Sequence, residues 1–141
     1  MSRPDEGPSP VSLVALACSR ALEAESVEQI EGFRLVRLPC SSKAEPALVL
    51  KAFEAGVQGV ALIPCPLGAC QYLEGNRRAR ALTQEVVGLM VELGLEPERF
   101  SVYPLEPEAR TGIKGFLDAF RQTVLALGQD QPEPRKAGRH V

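Results

Sequence analysis

The chain has 141 residues, 45% hydrophobic and 24% charged, the composition of one globular domain able to bury about two-thirds of its unfolded surface without covalent staples. Sixteen Lys and Arg against eighteen Asp and Glu leave a net charge of −2, and aromatics are 5% with no Trp, which argues against a basic nucleic-acid face and a base-stacking platform alike. No apolar run reaches the ~18 residues of a membrane span. The opening segment lacks the basic-then-apolar order of a signal peptide, so the expected location is the cytoplasm.

Residues 1–10 hold three prolines and little to bury, and read as a flexible tail. The polar stretch 129–141 reads the same way; its His140 is the single histidine of the chain and is given no role. The domain is therefore expected over 11–128. Val11–Ala17 (VSLVALA) is a short apolar run of strand formers ending at Cys18, and Arg20–Gln29 is a weaker helical segment. Phe33–Leu38 (FRLVRL) alternates apolar and basic residues and stops at Pro39–Cys40. Ala47–Ala55 is helical and closed by Gly56. Gly59–Ile63 (GVALI) is a continuous apolar run stopping at Pro64–Cys65, as a strand buried on both faces would. A long helix over Asn76–Leu93, with Asn76 as its N-cap, carries Leu82, Val86, Leu89 and Leu93 on one stripe. Phe100–Tyr103 is a fourth strand, ended by Pro104. A last helix over Glu108–Leu127 presents Ile113, Phe116, Leu117, Phe120, Val124 and Leu127. Gly88, Gly112 and Gly115 inside these helices cost roughly 1 kcal/mol each against alanine. Strands alternating with helices imply a single α/β domain, a mostly parallel sheet of about four strands with helices on both faces, of flavodoxin-like kind.

In such a sheet, ligands sit outside the carboxyl ends of the strands. Cys18, Cys40 and Cys65 each follow a predicted strand, and Cys70 lies five residues past Cys65, so three loops bring all four thiols to one edge. In a reducing compartment these are not read as two disulfides. One reading makes them small apolar fillers. The other makes them a metal or iron–sulfur site, since thiolates select zinc and iron–sulfur clusters. The C-x4-C spacing is not the paired C-x2-C of a zinc ribbon. It matches one piece of the plant-type two-iron ferredoxin pattern, without the C-x2-C that follows there. With no C-x-x-C, a thioredoxin-like dithiol is not expected, although a Cys65–Cys70 pair stays open. Gly68 allows a tight turn between the two thiols. Arg77, Arg78 and Arg80 oppose the dipole of the helix they open. They are either a solvated basic face, or they compensate a negative cluster nearby or dock an acidic partner.

Here the sequence resembles the delta, or iron–sulfur, subunit family of methyl-viologen-reducing (F420-non-reducing) hydrogenase. The resemblance runs over about residues 11–127 and is most specific at Cys65-x4-Cys70-x-Tyr72-x-x-Gly75-Asn76 with the arginines after it. Pro39-Cys40-Ser41, the stretch Lys51–Val60 and Leu93–Arg99 also look like the family. Where the family usually has a C-x-x-C pair, this chain reads Cys18-Ser19-Arg20-Ala21, and Gln71 stands where a histidine is common. The resemblance implies a [2Fe–2S] cluster held by Cys18, Cys40, Cys65 and Cys70. It also implies a non-catalytic role, relaying electrons between a redox enzyme, such as a hydrogenase or formate dehydrogenase, and a flavin-containing heterodisulfide reductase A-type subunit. The competing expectation is an adaptor for assembly of a redox complex, with structural zinc or no metal. A nucleotide-binding module would want a glycine-rich phosphate loop, which is absent.

Overall fold

The computed structural model describes residues 12–39, 45–66 and 75–128, so the two expected tails, and with them Cys40 and Cys70, lie outside the described residues. Strand β1 (Leu13–Cys18) is buried at all six positions and sits inside the sheet. It pairs in parallel with β2 (Arg34–Leu38) on one side and with β3 (Gly59–Ile63) on the other, and β3 pairs in parallel with β4 (Phe100–Val102). The order β2-β1-β3-β4 is that of a doubly wound sheet whose direction of winding reverses between β1 and β3. The predicted architecture holds, and the sheet is parallel throughout.

Alternation along the inner strands sorts the core into two layers. Leu13, Ala15, Ala17, Ala61 and Ile63 pack with α1 (Ser19–Ala24) and α4 (Ile113–Leu127). Val14, Leu16, Val60 and Leu62 pack with α2 (Pro46–Glu54) and α3 (Gly75–Leu93). Covered on both faces, β1 and β3 read as continuous apolar runs. The alternating Arg34–Leu38 is an edge strand with Arg34 and Arg37 in solvent, and basic side chains on an open edge discourage strand addition.

The helices depart from expectation at their ends. α1 stops at Ala24, well short of Gln29. α2 starts with Pro46 in its first turn, where a missing N–H costs nothing, and ends in a Schellman closure. There Gly56, at φ +101°, donates to the Phe53 carbonyl and Val57 donates to the Ala52 carbonyl, both at 3.0 Å. α3 begins at Gly75, so Asn76 lies within its first turn and is not the N-cap. Its buried stripe is Ala79, Leu82, Val86, Met90 and Leu93; Met90 replaces Leu89, which is half-buried. The last helix starts at Ile113 instead of Glu108, because Gly112 stands at φ +118°, a conformation no helix contains. Before it the chain makes only a 3-10 turn at Pro107–Ala109. Among the described residues, no helix is long and apolar enough to cross a membrane.

The amino edge of the sheet is tied by Arg99, whose side chain is fully buried at 0% exposure. Its guanidinium donates to the Glu96 carboxylate at 2.7 Å, the Gln58 carbonyl at 3.2 Å and the Gly128 carbonyl at 2.9 Å. Gln58 in turn donates from its backbone N–H to the Ser12 carbonyl at 2.8 Å and accepts from Ser12 N–H on its side-chain oxygen at 3.2 Å.

Beside this knot, Gly59 leaves no room for a side chain. An added Cβ would stand 2.7 Å from Leu13 Cδ2 and 2.9 Å from Val124 Cγ2. Gly59→Ala is therefore expected to destabilise the domain by about 1–3 kcal/mol, the usual cost of overpacking, seen as a lower urea midpoint with an unchanged slope.

Candidate functional site

β1 and β3 diverge into different connections at the winding reversal, and the crevice outside their carboxyl ends is where a doubly wound sheet binds its ligand. Cys18 is the last residue of β1, and Cys65 lies two residues past β3, between Pro64 and Pro66. Register pairing sets Ala17 beside Ile63, so the two strands leave the sheet together. The sulfurs of Cys18 and Cys65 are 3.1 Å apart with no disulfide between them, and the two residues are 2% and 3% exposed. The separation is about 1 Å longer than a disulfide bond.

Two thiolates on one tetrahedral ion, at ~2.3 Å each, stand about 3.8 Å apart. Opening the pair by less than about 1 Å would thus let both sulfurs hold the same metal atom. Cys40 falls outside the described residues; Leu38, two residues earlier in sequence, is the register partner of Cys18. Cys70 also lies outside them, four residues beyond Pro66. Among the described residues no three His, Cys, Asp or Glu converge on one point, so what is seen is a two-thiol half-site. The donor chemistry suits a soft metal or an iron–sulfur cluster.

Three residues that sequence reasoning does not single out frame this half-site. Tyr103, just past β4, is enclosed but shallow, and its hydroxyl donates to Glu25 Oε2 at 2.9 Å while accepting from Gly112 N–H at 2.8 Å. Glu25 also accepts from Ile113 N–H at 2.6 Å, placing a carboxylate at the amino end of α4, where the helix dipole favours it. Arg110 is half-buried, with its guanidinium carbon 4.3 Å above the Tyr103 ring. It donates to the carbonyls of Pro64 and Pro104, residues that follow β3 and β4. Burial pulls the Arg110 pKa below the usual arginine value, while Tyr103, Cys65, Glu25 and Cys18 push it back up. The Tyr103 pKa is raised, first by burial and then by its bond to Glu25.

The arginines of α3 divide. Arg80 pairs with Glu106 at 2.9 Å across to the loop before α4, so its partner is internal. Arg77 and Arg78 are exposed in the first turns of the helix.

Tyr103→Phe is expected to cost about 1–3 kcal/mol at neutral pH, because it removes a charge-assisted bond and strips Gly112 N–H of its acceptor. A tyrosine whose pKa is higher in the fold than its unfolded value of about 10 contributes stability that is whole below that value and lost as pH rises through the folded pKa. Urea titrations from pH 9 upward should therefore show this alkaline loss in the wild type, and a shallower one in Tyr103→Phe.

A family model described as methyl-viologen-reducing hydrogenase, delta subunit, matches residues 11–128. The iron-sulfur subunit of the F420-non-reducing hydrogenase of Archaeoglobus profundus is 34% identical over 95 residues, covering 67% of this chain and 69% of that one. The iron-sulfur subunit of the vhu F420-non-reducing hydrogenase of Methanocaldococcus jannaschii is 29% identical over 104 residues, 74% of this chain and 75% of its own. The A-type subunit of the ferredoxin:CoB-CoM heterodisulfide reductase of Methanosarcina mazei is 29% identical over 83 residues, 59% of this chain but only 10% of that much longer protein. With its thiols at the carboxyl edge of a four-stranded parallel sheet, the chain belongs to the delta subunit family of methyl-viologen-reducing hydrogenase.

Proposed function

We propose that this protein is an electron-relay subunit in which Cys18, Cys40, Cys65 and Cys70 hold a [2Fe–2S] cluster, and that it passes electrons between another redox protein and a flavin-containing heterodisulfide reductase A-type subunit. The observation that carries the reading is the pair of buried thiols 3.1 Å apart, not joined as a disulfide, at the winding reversal. Bound there, the cluster would supply a site that takes up and releases one electron at a time. The chain's own residues do the rest. Pro64 and Pro66 stiffen the backbone around Cys65. Enclosure of both sulfurs keeps solvent away, one of the conditions that set a cluster's potential. Two thiols that close remain reduced most readily in the cytoplasm, where we locate the protein.

The partner is supported by the relative in which a stretch like this one forms a tenth of a heterodisulfide reductase chain. Two functions joined in one chain there are expected to meet here as well. Arg77 and Arg78, exposed in the first turns of α3 just beyond the Cys70 segment, are our candidates for the meeting surface.

Anaerobically purified protein should contain about two iron and two acid-labile sulfide per chain and give an electron paramagnetic resonance signal on reduction. One zinc per chain without sulfide would replace this reading with that of a structural adaptor. Cys18→Ser and Cys65→Ser should each lose most of the iron, since either change breaks the same close pair. Charge reversal at Arg77 and Arg78 should weaken capture of the flavoprotein several-fold in a pull-down, with circular dichroism unchanged, because exposed substitutions usually move stability by within about 0.5 kcal/mol.

A further inference from the structure

Arg110 is held in an unusual way for a half-buried cation. Its fork reaches two backbone carbonyls, Pro64 and Pro104, and its plane covers the Tyr103 ring. Among the described residues no carboxylate bonds it, although Glu25 is close enough to act on its charge. Glu25 is itself engaged by the Tyr103 hydroxyl and by the Ile113 N–H. One of the two carbonyls belongs to the residue immediately before Cys65, so the cation is anchored to the loop that carries a sulfur ligand. Cys65 and Cys18 both contribute to the field at Arg110. A planar fork suits this placement, since one guanidinium reaches both carbonyls at once.

We propose that Arg110 is a positioning residue that raises the reduction potential of the thiol-held centre, by fixing one positive charge against the Cys65 loop where no carboxylate among the described residues bonds it. The proposal rests on the relay reading. An added electron makes a site with thiolate ligands more negative, and a fixed cation stabilises that state more than the oxidised one. The lever is net local charge, one of those that set cluster potentials. A unit charge bonded to the loop that carries a sulfur ligand, beside a partly desolvated site, is enough for about a tenfold change in equilibrium. Reduction by dithionite adds one electron to the site; no bond forms or breaks, and no proton is taken up.

The test is a mediated dithionite titration of the reconstituted full chain, followed by electron paramagnetic resonance, for wild type, Arg110→Gln and Arg110→Lys. Arg110→Gln removes the charge and should make reduction about tenfold less favourable, ~59 mV for a one-electron couple. Arg110→Lys keeps the charge while losing the fork, and should stay within about threefold of wild type, well short of the change expected of a unit charge. A smaller change than that in loaded Arg110→Gln, or a larger one in Arg110→Lys, overturns the proposal and leaves Arg110 as a loop clasp. If Arg110→Gln does not fold or load, Arg110→Met, which removes the same charge, is read by the same limit. Wild type that takes up no iron and sulfide fails the relay reading and this proposal together. Loaded wild type whose potential does not follow the charge fails only this proposal.

Discussion

The parallel pairing of β1 with β3 is the constraint from which the rest of the site follows. Both strands are buried on both faces, so a slip of one residue would exchange the two core layers, and the register is tightly specified. With Ala17 opposite Ile63, the chain leaves the sheet at neighbouring points and brings Cys18 and Cys65 into contact although they are 47 residues apart. Winding also reverses at this pair. α1, which follows β1, packs on one face of the sheet, and α3, which follows β3, packs on the other.

Around the thiol pair the fold uses polar contacts, as it does with buried Arg99 at the other edge of the sheet. Glu25 joins the turn after α1 to the start of α4 and to Tyr103, and Arg110 joins the end of β3 to the end of β4. Each side chain therefore links elements that do not follow one another in sequence. Ligand loops have many exposed backbone groups and few core contacts, so cross-links of this kind restrict local opening at an edge that would otherwise be among the least stable parts of the molecule. The negative Glu25 meets a helix start and the positive Arg110 meets carbonyls, so both charges are satisfied mainly by backbone dipoles.

The strand ends, the two-layer sheet and the meeting of Cys18 with Cys65 are legible in the sequence because each leaves a local mark: an apolar run of the right length, a proline stop, a cysteine at or just past the strand end. Glu25, Tyr103 and Arg110 leave none. Tyr103 bonds a residue 78 positions away and Ile113 one 88 away, and neither contact follows from periodicity. Arg110 is hidden when Glu108–Leu127 is read as continuous helix, in which an arginine at that position is an ordinary solvent-facing residue. Gly112 is the available warning, since its cost inside a helix already counts against continuity. Met90 displaces Leu89 for a milder reason. The two are adjacent, and a stripe that must meet Val86 and Leu93 can pass through either, so packing against the sheet decides between them.

The knot at the amino edge bears on how such a domain can be built into larger assemblies. Gln58 holds Ser12 just before β1, and Arg99 holds both Gln58 and Gly128 at the end of α4. Residues 12 and 128 thus lie at one place, at the opposite end of the strands from the sulfurs. A stretch whose two ends meet can be carried inside a longer polypeptide without stretching the host and without covering its own working edge. Residues 12 and 128 would then act as the two sides of a single hinge, with the thiol-bearing rim turned outward.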